Sequence, residues 1–233
     1  MPSIYETSLN DLEKMQPLFN GYEESVFFSI PSLKSTPLDL RSLSKFENRN
    51  SLIPHIRCGD YSKKQTIETA HLAKEMRFKK VFLISGDPPY AHQKGLTSCQ
   101  AIPYYHRLGL EVGSSLDIYA PCLKTEIKKA EEKIKAGSRY LVTQVVLMSD
   151  ETEKRLLEIH YALHHTKIKI YPCLSLLKDF RKDSLLLKKI CPFVPQEILS
   201  RKQDIQDNNK KAVEFFQRLF DSDTMYLFQF RKP

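Results

Sequence analysis

The stretch VFLISGDPP, residues 81–89, decides how we interpret this chain. Four apolar residues lead into Ser85, Gly86 and Asp87, and two prolines then end any regular structure. The pattern predicts a buried strand whose carboxyl end delivers a carboxylate onto a rigid loop. Because parallel α/β proteins carry their chemistry at that end of the strands, we expect a functional site there.

A second strand and a helix are predicted directly before this stretch. Residues 52–57, LIPHIR, have strand composition, and Ser62 with Gln65 forms the signature of a capping box. Apolar residues then recur at three-residue spacing up to Phe78, which predicts a helix that buries one face. Strand, helix and strand in this order favour a parallel pair with a right-handed crossover.

The same alternation continues along the chain and yields seven predicted strands. They lie at 25–30, 52–57, 81–84, 111–115, 140–147, 168–173 and 225–230. Repeated β-α units in 233 residues favour a single (β/α)8 TIM-type barrel domain over residues 1–233. An open, doubly wound sheet is the alternative, but no GxGxxG or GxxxxGK[ST] phosphate loop follows any strand.

The amino-terminal quarter of the chain is the hardest part to interpret. Residues 8–19 favour a short helix, and we expect residues 1–24 to be an N-terminal helical extension of the barrel. Residues 32–50 are rich in serine and show only modest helical spacing. The barrel is therefore expected to be incomplete or irregular around its second β/α unit, with an eighth strand either hidden in 32–50 or lacking. A helix is also predicted at 176–190.

Composition places the chain among soluble globular proteins. Hydrophobic residues make up 41% and charged residues 27%, which argues against a disordered or fibrous chain. The five cysteines form no CxxC pair, so we expect neither a metal site nor a disulfide framework, and a reducing cytoplasm is the default location. No leader pattern and no apolar run of about 18 residues is present, so no membrane partner is expected.

The formal net charge of +8 suits nucleic acid, a membrane surface or an anionic small molecule. The lysines are spread over predicted helices, where solvated faces are the ordinary explanation. A nucleic-acid-binding α/β protein ranks last among our hypotheses, because no strand or loop interleaves aromatic and basic residues.

Three segments in register resemble methylenetetrahydrofolate reductase, a flavin-dependent barrel family. PHIRC at 54–58 is similar to the family's PHLTC-like third strand, and SGDPP at 85–89 to the RGDPP that ends its fourth strand. KIKAGSRYLVTQ at 133–144 is similar to the family's KxDAGAxxxxTQ, and YLFQF near the carboxyl terminus extends the resemblance more faintly.

The resemblance implies an oxidoreductase of one-carbon metabolism that serves methionine biosynthesis. Such an enzyme reduces 5,10-methylenetetrahydrofolate to 5-methyltetrahydrofolate, with FAD as cofactor and NAD(P)H as electron donor. The expected partner is a reduced folate, with a polyglutamate tail that would suit a basic rim, and a homo-oligomer is compatible with the family.

Three residues around the opening stretch take roles from the resemblance. Asp87 matches the family's aspartate beside the flavin and pterin, which makes it the catalytic and substrate-binding candidate; a turn aspartate before prolines is the alternative. His55 matches a flavin-contacting histidine, and a hydrogen-bonded core histidine is the alternative. Gly86 allows the backbone to approach a ligand, or simply makes the turn.

Four further residues are assigned in the same way. Gln144 matches the family's folate-contacting glutamine, since a side-chain amide can pair with the pterin edge. Glu126 and Lys133 match positions near the flavin ribose and diphosphate, although solvated side chains are common in charged helices. Lys232, or Arg231 beside it, is a candidate for a folate carboxylate, or part of a basic terminus without such a role.

The sequence also departs from the family pattern. The family's first strand carries a general-acid glutamate in an SFEFFPP-like sequence, and aligning SVFFSIP at 25–31 with it puts Phe27 there. A phenyl ring cannot transfer a proton. The family's arginine before GDPP is Ser85 in this chain. These departures motivate a second hypothesis, a folate-binding or regulatory barrel that has lost flavin-dependent reduction.

Overall fold

The chain folds as a closed barrel of eight parallel strands. The computed structural model describes residues 3–8, 11–12, 26–35, 37–87, 89–175, 205–222 and 224–228. The strands are β1 (Ser3–Glu6), β2 (Val26–Ile30), β3 (Leu52–Arg57), β4 (Lys80–Ile84), β5 (Glu111–Leu116), β6 (Ser138–Val145), β7 (Lys169–Ser175) and β8 (Met225–Phe228). The α-helices are α1 (Lys63–Glu75), α2 (Ser98–His106), α3 (Leu123–Ala136), α4 (Asp150–Leu163) and α5 (Ile205–Phe220). The predicted (β/α)8 fold is confirmed.

The eighth strand lies where the sequence predicted an extension outside the barrel. Ser3–Glu6 pairs with β2 on one side and with β8 on the other, so this segment closes the barrel. The described part of residues 32–50 instead forms short 3₁₀ helices at Leu40–Lys45 and Arg49–Ser51. The prediction of an N-terminal extension was wrong for β1, because a four-residue strand shows too little periodicity to be recognised alone.

Local sequence signals set the helix ends. Ser62 and Gln65 form the predicted capping box at the start of α1, and Thr97 with Gln100 forms another at the start of α2. Gly137 ends α3 in a left-handed conformation with φ 115°, as glycine at this position allows. The helix predicted at 176–190 and most of the one predicted at 8–19 fall outside the described residues.

The interior of the barrel is layered from its amino end to its carboxyl end. At the amino end the Lys80 ammonium lies 5.0 Å from the centre of the Phe27 ring. The middle is aromatic: the ring of Tyr140 lies 6.4 Å from that of Phe82 and 5.4 Å from that of Tyr171. Because side chains alternate along a strand, the next inward-facing position is two residues further on. Inward-facing residues on the carboxyl side of the aromatic layer therefore lie at the carboxyl mouth of the barrel.

Apolar packing holds the helices against this barrel. One cluster joins the interior to α3, α4 and α5, and a second lies between β2–β5 and the helices α1 and α2. None of the described helices is long and apolar enough to cross a membrane. In the described part of the chain, no three His, Cys, Asp or Glu residues gather as a metal site would require.

Candidate functional site

Glu6, the last residue of β1, places a carboxyl group at the carboxyl mouth of the barrel. It follows Ile4 on the interior face, and Ile4 is buried in the barrel core. The Tyr226 hydroxyl donates a 2.6 Å hydrogen bond to Glu6 Oε2. Burial raises the pKa of Glu6 to about 7, although the bond from Tyr226 acts in the opposite direction. The side chain is half-buried, so Glu6 combines an accessible position with a near-neutral pKa.

Tyr226 belongs to a buried polar cluster below Glu6. Its hydroxyl lies 2.9 Å from Ser29 Oγ and 3.1 Å from His55 Nε2, and Ser29 Oγ lies 2.7 Å from the same His55 nitrogen. Burial lowers the pKa of His55 to about 3, so the imidazole is neutral at physiological pH. Four strands, β1, β2, β3 and β8, therefore contribute one polar side chain each to a continuous network.

The position of Phe27 corrects our alignment of the first strand. Phe27 lies in β2, where it pairs with Ile4 of β1, and its ring faces Lys80 at the amino end of the interior. The resemblance assigns a glutamate to the first strand, and the first strand of this barrel ends in Glu6. Sequence reasoning misses Glu6 because SIYE stands in the segment predicted to lie outside the barrel. Two apolar residues followed by a glutamate were the available signal.

Asp87 lies on the loop after β4, where it meets an arginine that the sequence had not singled out. Arg57 Nε donates a 2.7 Å bond to Asp60, and Arg57 Nη1 lies 3.5 Å from Asp87 Oδ2. Arg57 is buried, whereas the Asp87 side chain is 88% exposed. The third guanidinium nitrogen, Nη2, is buried and has no hydrogen-bond partner among the described residues.

The absence of a side chain at Gly86 leaves room for the Arg57 guanidinium. The Gly86 φ of +86° lies in the left-handed region, and a Cβ at this position would lie 2.9 Å from Arg57 Nη2. Ser85, at the position where the resembling family has an arginine, faces the helices instead, and its hydroxyl accepts the Ser98 N–H at the start of α2. A positive charge is thus present beside Gly86 and Asp87, but it comes from the neighbouring strand.

Gln144 lies near the carboxyl end of β6 and is half-buried. The pairing of β6 with β7 shifts register between Val142 and Val145, around this residue. Such an irregularity redirects a side chain, and it is common next to active sites. The structure therefore places Gln144 at the same edge of the barrel as Glu6 and Asp87.

Glu126 and Lys133 lie on the buried face of α3. Lys133 Nζ donates a 2.6 Å bond to the Ser115 carbonyl, and Glu126 Oε1 accepts the Asp117 N–H at 3.2 Å. The two charged groups lie 3.8 Å apart, and burial lowers the pKa of Lys133. Both side chains therefore fasten the β5 loop to α3.

The flavin contacts that the resemblance implies do not fit these side-chain positions. Lys133 and Glu126 are buried in contacts within the protein, and His55 Nε2 is engaged by Ser29 and Tyr226. A ribose or diphosphate needs donors that face a cleft. The residues assigned to the flavin do not provide them, and Lys232 lies outside the described residues.

Comparison with known proteins supports the architecture. No protein-family model and no curated protein matches the chain. Among solved structures, a Clostridium thermocellum protein that binds two copies of 5-methyl-5,6,7,8-tetrahydrofolic acid is similar, with a TM-score of 0.64 and 16% identity. The match covers 99% of this chain and 89% of that chain.

Two other solved structures share the barrel. 2,3-Dimethylmalate lyase, of the PEP mutase/isocitrate lyase superfamily, has a TM-score of 0.52 and 8% identity over 76% of this chain and 66% of that chain. Oxaloacetate acetylhydrolase in complex with 3,3-difluorooxalacetate has a TM-score of 0.57 and 7% identity over 97% and 74%. At these identities the likeness shows the fold alone.

Proposed function

We propose that this chain binds a reduced folate at the carboxyl mouth of its barrel and protonates it through Glu6. The observation that carries the proposal is the Glu6 carboxyl group at the end of β1, held by Tyr226. This is the strand on which the resembling reductase family keeps its general acid. The folate-binding barrel from C. thermocellum supports the choice of ligand.

The chemistry follows from the protonation state of Glu6. A general acid works best when its pKa lies near the working pH, because it then carries a proton and can also release it. With a pKa raised to about 7, Glu6 is partly protonated at neutral pH, whereas an ordinary glutamate is fully ionised. A proton given to a nitrogen of methylenetetrahydrofolate would open its five-membered ring to an iminium ion.

The remaining polar groups at the mouth suit recognition of a pterin. The pterin edge presents both donors and acceptors, and these match a carboxylate and a side-chain amide. Asp87 offers an exposed carboxylate held near Arg57, and Gln144 offers the amide. We propose that these two residues orient the pterin against Glu6.

Equilibrium binding of 5-methyltetrahydrofolate tests the proposal. We expect saturable binding that weakens by about tenfold in Asp87→Ala or Gln144→Ala, which is the usual loss for one hydrogen bond to a ligand. Glu68→Ala is the matched control, since Glu68 is an exposed carboxylate on the outer helix α1. Absence of binding in the wild-type protein, or equal weakening in the control, would refute the proposal.

A second candidate function is flavin-dependent reduction of methylenetetrahydrofolate with NAD(P)H. The position of Glu6 favours it, since a reductase of this family needs an acid on its first strand. Flavin would supply the hydride transfer when bound. His55, Glu126 and Lys133 do not fit the flavin contacts that the resembling family would assign to them.

Spectroscopy separates the two candidates. A protein that takes up FAD, absorbs near roughly 450 nm and is bleached by NAD(P)H in the presence of methylenetetrahydrofolate supports the reductase. A colourless protein that does not bind FAD but still binds reduced folate supports the function of a folate-binding or regulatory barrel.

A further inference from the structure

Three buried side chains connect Glu6 to the interior of the barrel. Tyr226 of β8, Ser29 of β2 and His55 of β3 are 3%, 0% and 8% exposed, so they are hidden from solvent. Their polar atoms lie within 2.7–3.1 Å of one another, and Tyr226 alone reaches Glu6, at 2.6 Å. Buried polar groups are retained only when they are hydrogen-bonded, so this cluster needs a consistent arrangement of its protons.

The first arrangement applies when Glu6 is ionised. The Tyr226 O–H then donates to Glu6 Oε2, and the Ser29 O–H donates to His55 Nε2. The imidazole can accept this bond because it is neutral, and its burial disfavours a second proton. Both hydroxyl hydrogens are therefore used, and the carboxylate has a donor.

The second arrangement applies when Glu6 carries a proton. The Glu6 O–H can donate to the Tyr226 oxygen across the same 2.6 Å. The Tyr226 O–H then turns to Ser29 Oγ, 2.9 Å away, and Ser29 still donates to His55. Only one hydroxyl hydrogen has changed direction. No heavy atom needs to move, and none of the three partners gains or loses a proton.

We infer that Tyr226, Ser29 and His55 are positioning residues that keep the Glu6 carboxyl group hydrogen-bonded both with and without its proton. The inference rests on the proposed function, in which Glu6 releases a proton to a ligand and takes one back. Because both states are satisfied, neither state leaves a buried polar group without a hydrogen bond. Glu6 can thus cycle between them without rearrangement of the barrel.

Among the described residues, few other ionisable groups surround the cluster. Cys173 of β7 faces Tyr226, and His55 is the basic group that contacts it. Arg57, two residues beyond His55 on β3, is paired with Asp60 and Asp87. The titration of Glu6 should therefore respond first to the Tyr226 hydroxyl.

Direct titration of Glu6 in the free protein tests the inference. We would follow the ¹³C signals of labelled glutamate carboxyl groups between pH 4 and pH 9, and assign Glu6 by the signal that Glu6→Gln removes. Tyr226→Phe deletes the donor to the carboxylate, so the pKa of Glu6 should rise by about one unit or more. Ser29→Ala leaves the ionised state with an unpaired His55 nitrogen, so it should raise the same pKa by less.

Tyr140→Phe is the matched control, because it removes another buried hydroxyl from the aromatic layer, one that lies 3.4 Å from the Val81 carbonyl. It should leave the Glu6 titration unchanged. An unchanged or lowered pKa in folded Tyr226→Phe would overturn the inference. If that variant does not fold, an unchanged or lowered pKa in Ser29→Ala has the same meaning.

Folate binding, measured on the same proteins, distinguishes failure of this inference from failure of the proposed function. Tyr140 lies in the aromatic layer and outside the polar cluster, so Tyr140→Phe should bind 5-methyltetrahydrofolate as the wild type does, and the binding of each variant is measured beside its titration. A wild-type protein that binds no folate refutes the proposed function alone. A shifted titration would still establish the positioning role.

Discussion

At the residue scale, the properties of Glu6 come from its surroundings. Partial removal of the carboxyl group from water raises its pKa, and the Tyr226 hydroxyl reduces that rise by stabilising the ionised form. The two effects together leave a carboxyl group that titrates near neutral pH. The exposed Asp87, by contrast, lies 3.5 Å from Arg57 and is suited to contact a ligand as a carboxylate.

The raised pKa of Glu6 makes stability depend on pH. Since the folded-state pKa of about 7 exceeds the ordinary glutamate value of 4.5, the folded protein binds this proton more tightly than the unfolded chain does. The stabilisation is complete below about pH 4.5 and is lost as the pH rises through about 7. We expect wild type to lose about 1–3 kcal/mol relative to Glu6→Gln between pH 5 and pH 8. Urea unfolding at both pH values measures this difference, and an equal gap at the two values would contradict the prediction.

Gly86 and Gly109 allow a matched test of the contact with Arg57. Both have positive φ, +86° and +78°, so alanine is strained at either position. A Cβ on Gly86 would lie 2.9 Å from the guanidinium, whereas a Cβ on Gly109 would meet Lys74 Nζ at 3.7 Å. We expect Gly86→Ala to cost about 2 kcal/mol or more and Gly109→Ala about 1 kcal/mol, as measured by urea unfolding. Equal costs would show that the guanidinium adjusts freely.

At the element scale, neighbouring strands share the limited space inside the barrel. Gly113 of β5 has no side chain, and the Tyr140 ring from β6 occupies the vacant interior position. A Cβ on Gly113 would lie 2.1 Å from that ring. The small residue on one strand thus sets the rotamer of the large residue on the next, as packing of alternating sizes requires.

This contact predicts a coupled pair of substitutions. Gly113→Ala should destabilise the protein by about 2–3 kcal/mol, because the Tyr140 ring has to leave its place in the core. Combination with Tyr140→Leu should cost at least about 1 kcal/mol less than the sum of the single changes. Thermal or urea unfolding of the four proteins measures the coupling. The same alanine combined with Tyr171→Leu is the control, and equal coupling there would contradict a specific contact.

At the scale of the whole molecule, four residues of β1 close the barrel. Without them β2 and β8 would each lose a partner, and unpaired strand edges expose backbone groups and apolar side chains. The same four residues bring Glu6 to Tyr226, 220 positions away in sequence. Closure and the candidate site therefore depend on one short segment.

Deletion of residues 1–7 tests this dependence. We expect the shortened protein to lose cooperative thermal unfolding and to bind a hydrophobic dye, because its interior is open between β2 and β8. Glu6→Gln is the control, since it removes the carboxyl group and keeps the strand. A shortened protein that unfolds as cooperatively as the control would show that β1 is dispensable for the barrel.

The sequence was sufficient to predict most of the strands and helices. Seven strands followed from apolar runs that end at turn residues, and the capping box at Ser62 followed from residue types alone. The eighth strand could not be predicted, because Ser3–Glu6 is stabilised by its pairing with β2 and β8 and not by a local pattern. Because β1 was not predicted, the alignment placed the expected general acid at Phe27 instead of Glu6.

Sequence alone determined the alternation of strands and helices, and it located Gly86, Asp87 and Gln144 at strand ends, because these features depend on local periodicity and turn chemistry. Only the tertiary structure decided which groups meet. Barrel closure joined Glu6 to Tyr226, and parallel pairing of β3 with β4 placed Arg57 beside Gly86 and Asp87. The physical reason is that burial and hydrogen bonding between distant strands, which set the pKa of Glu6, leave no local pattern in the chain.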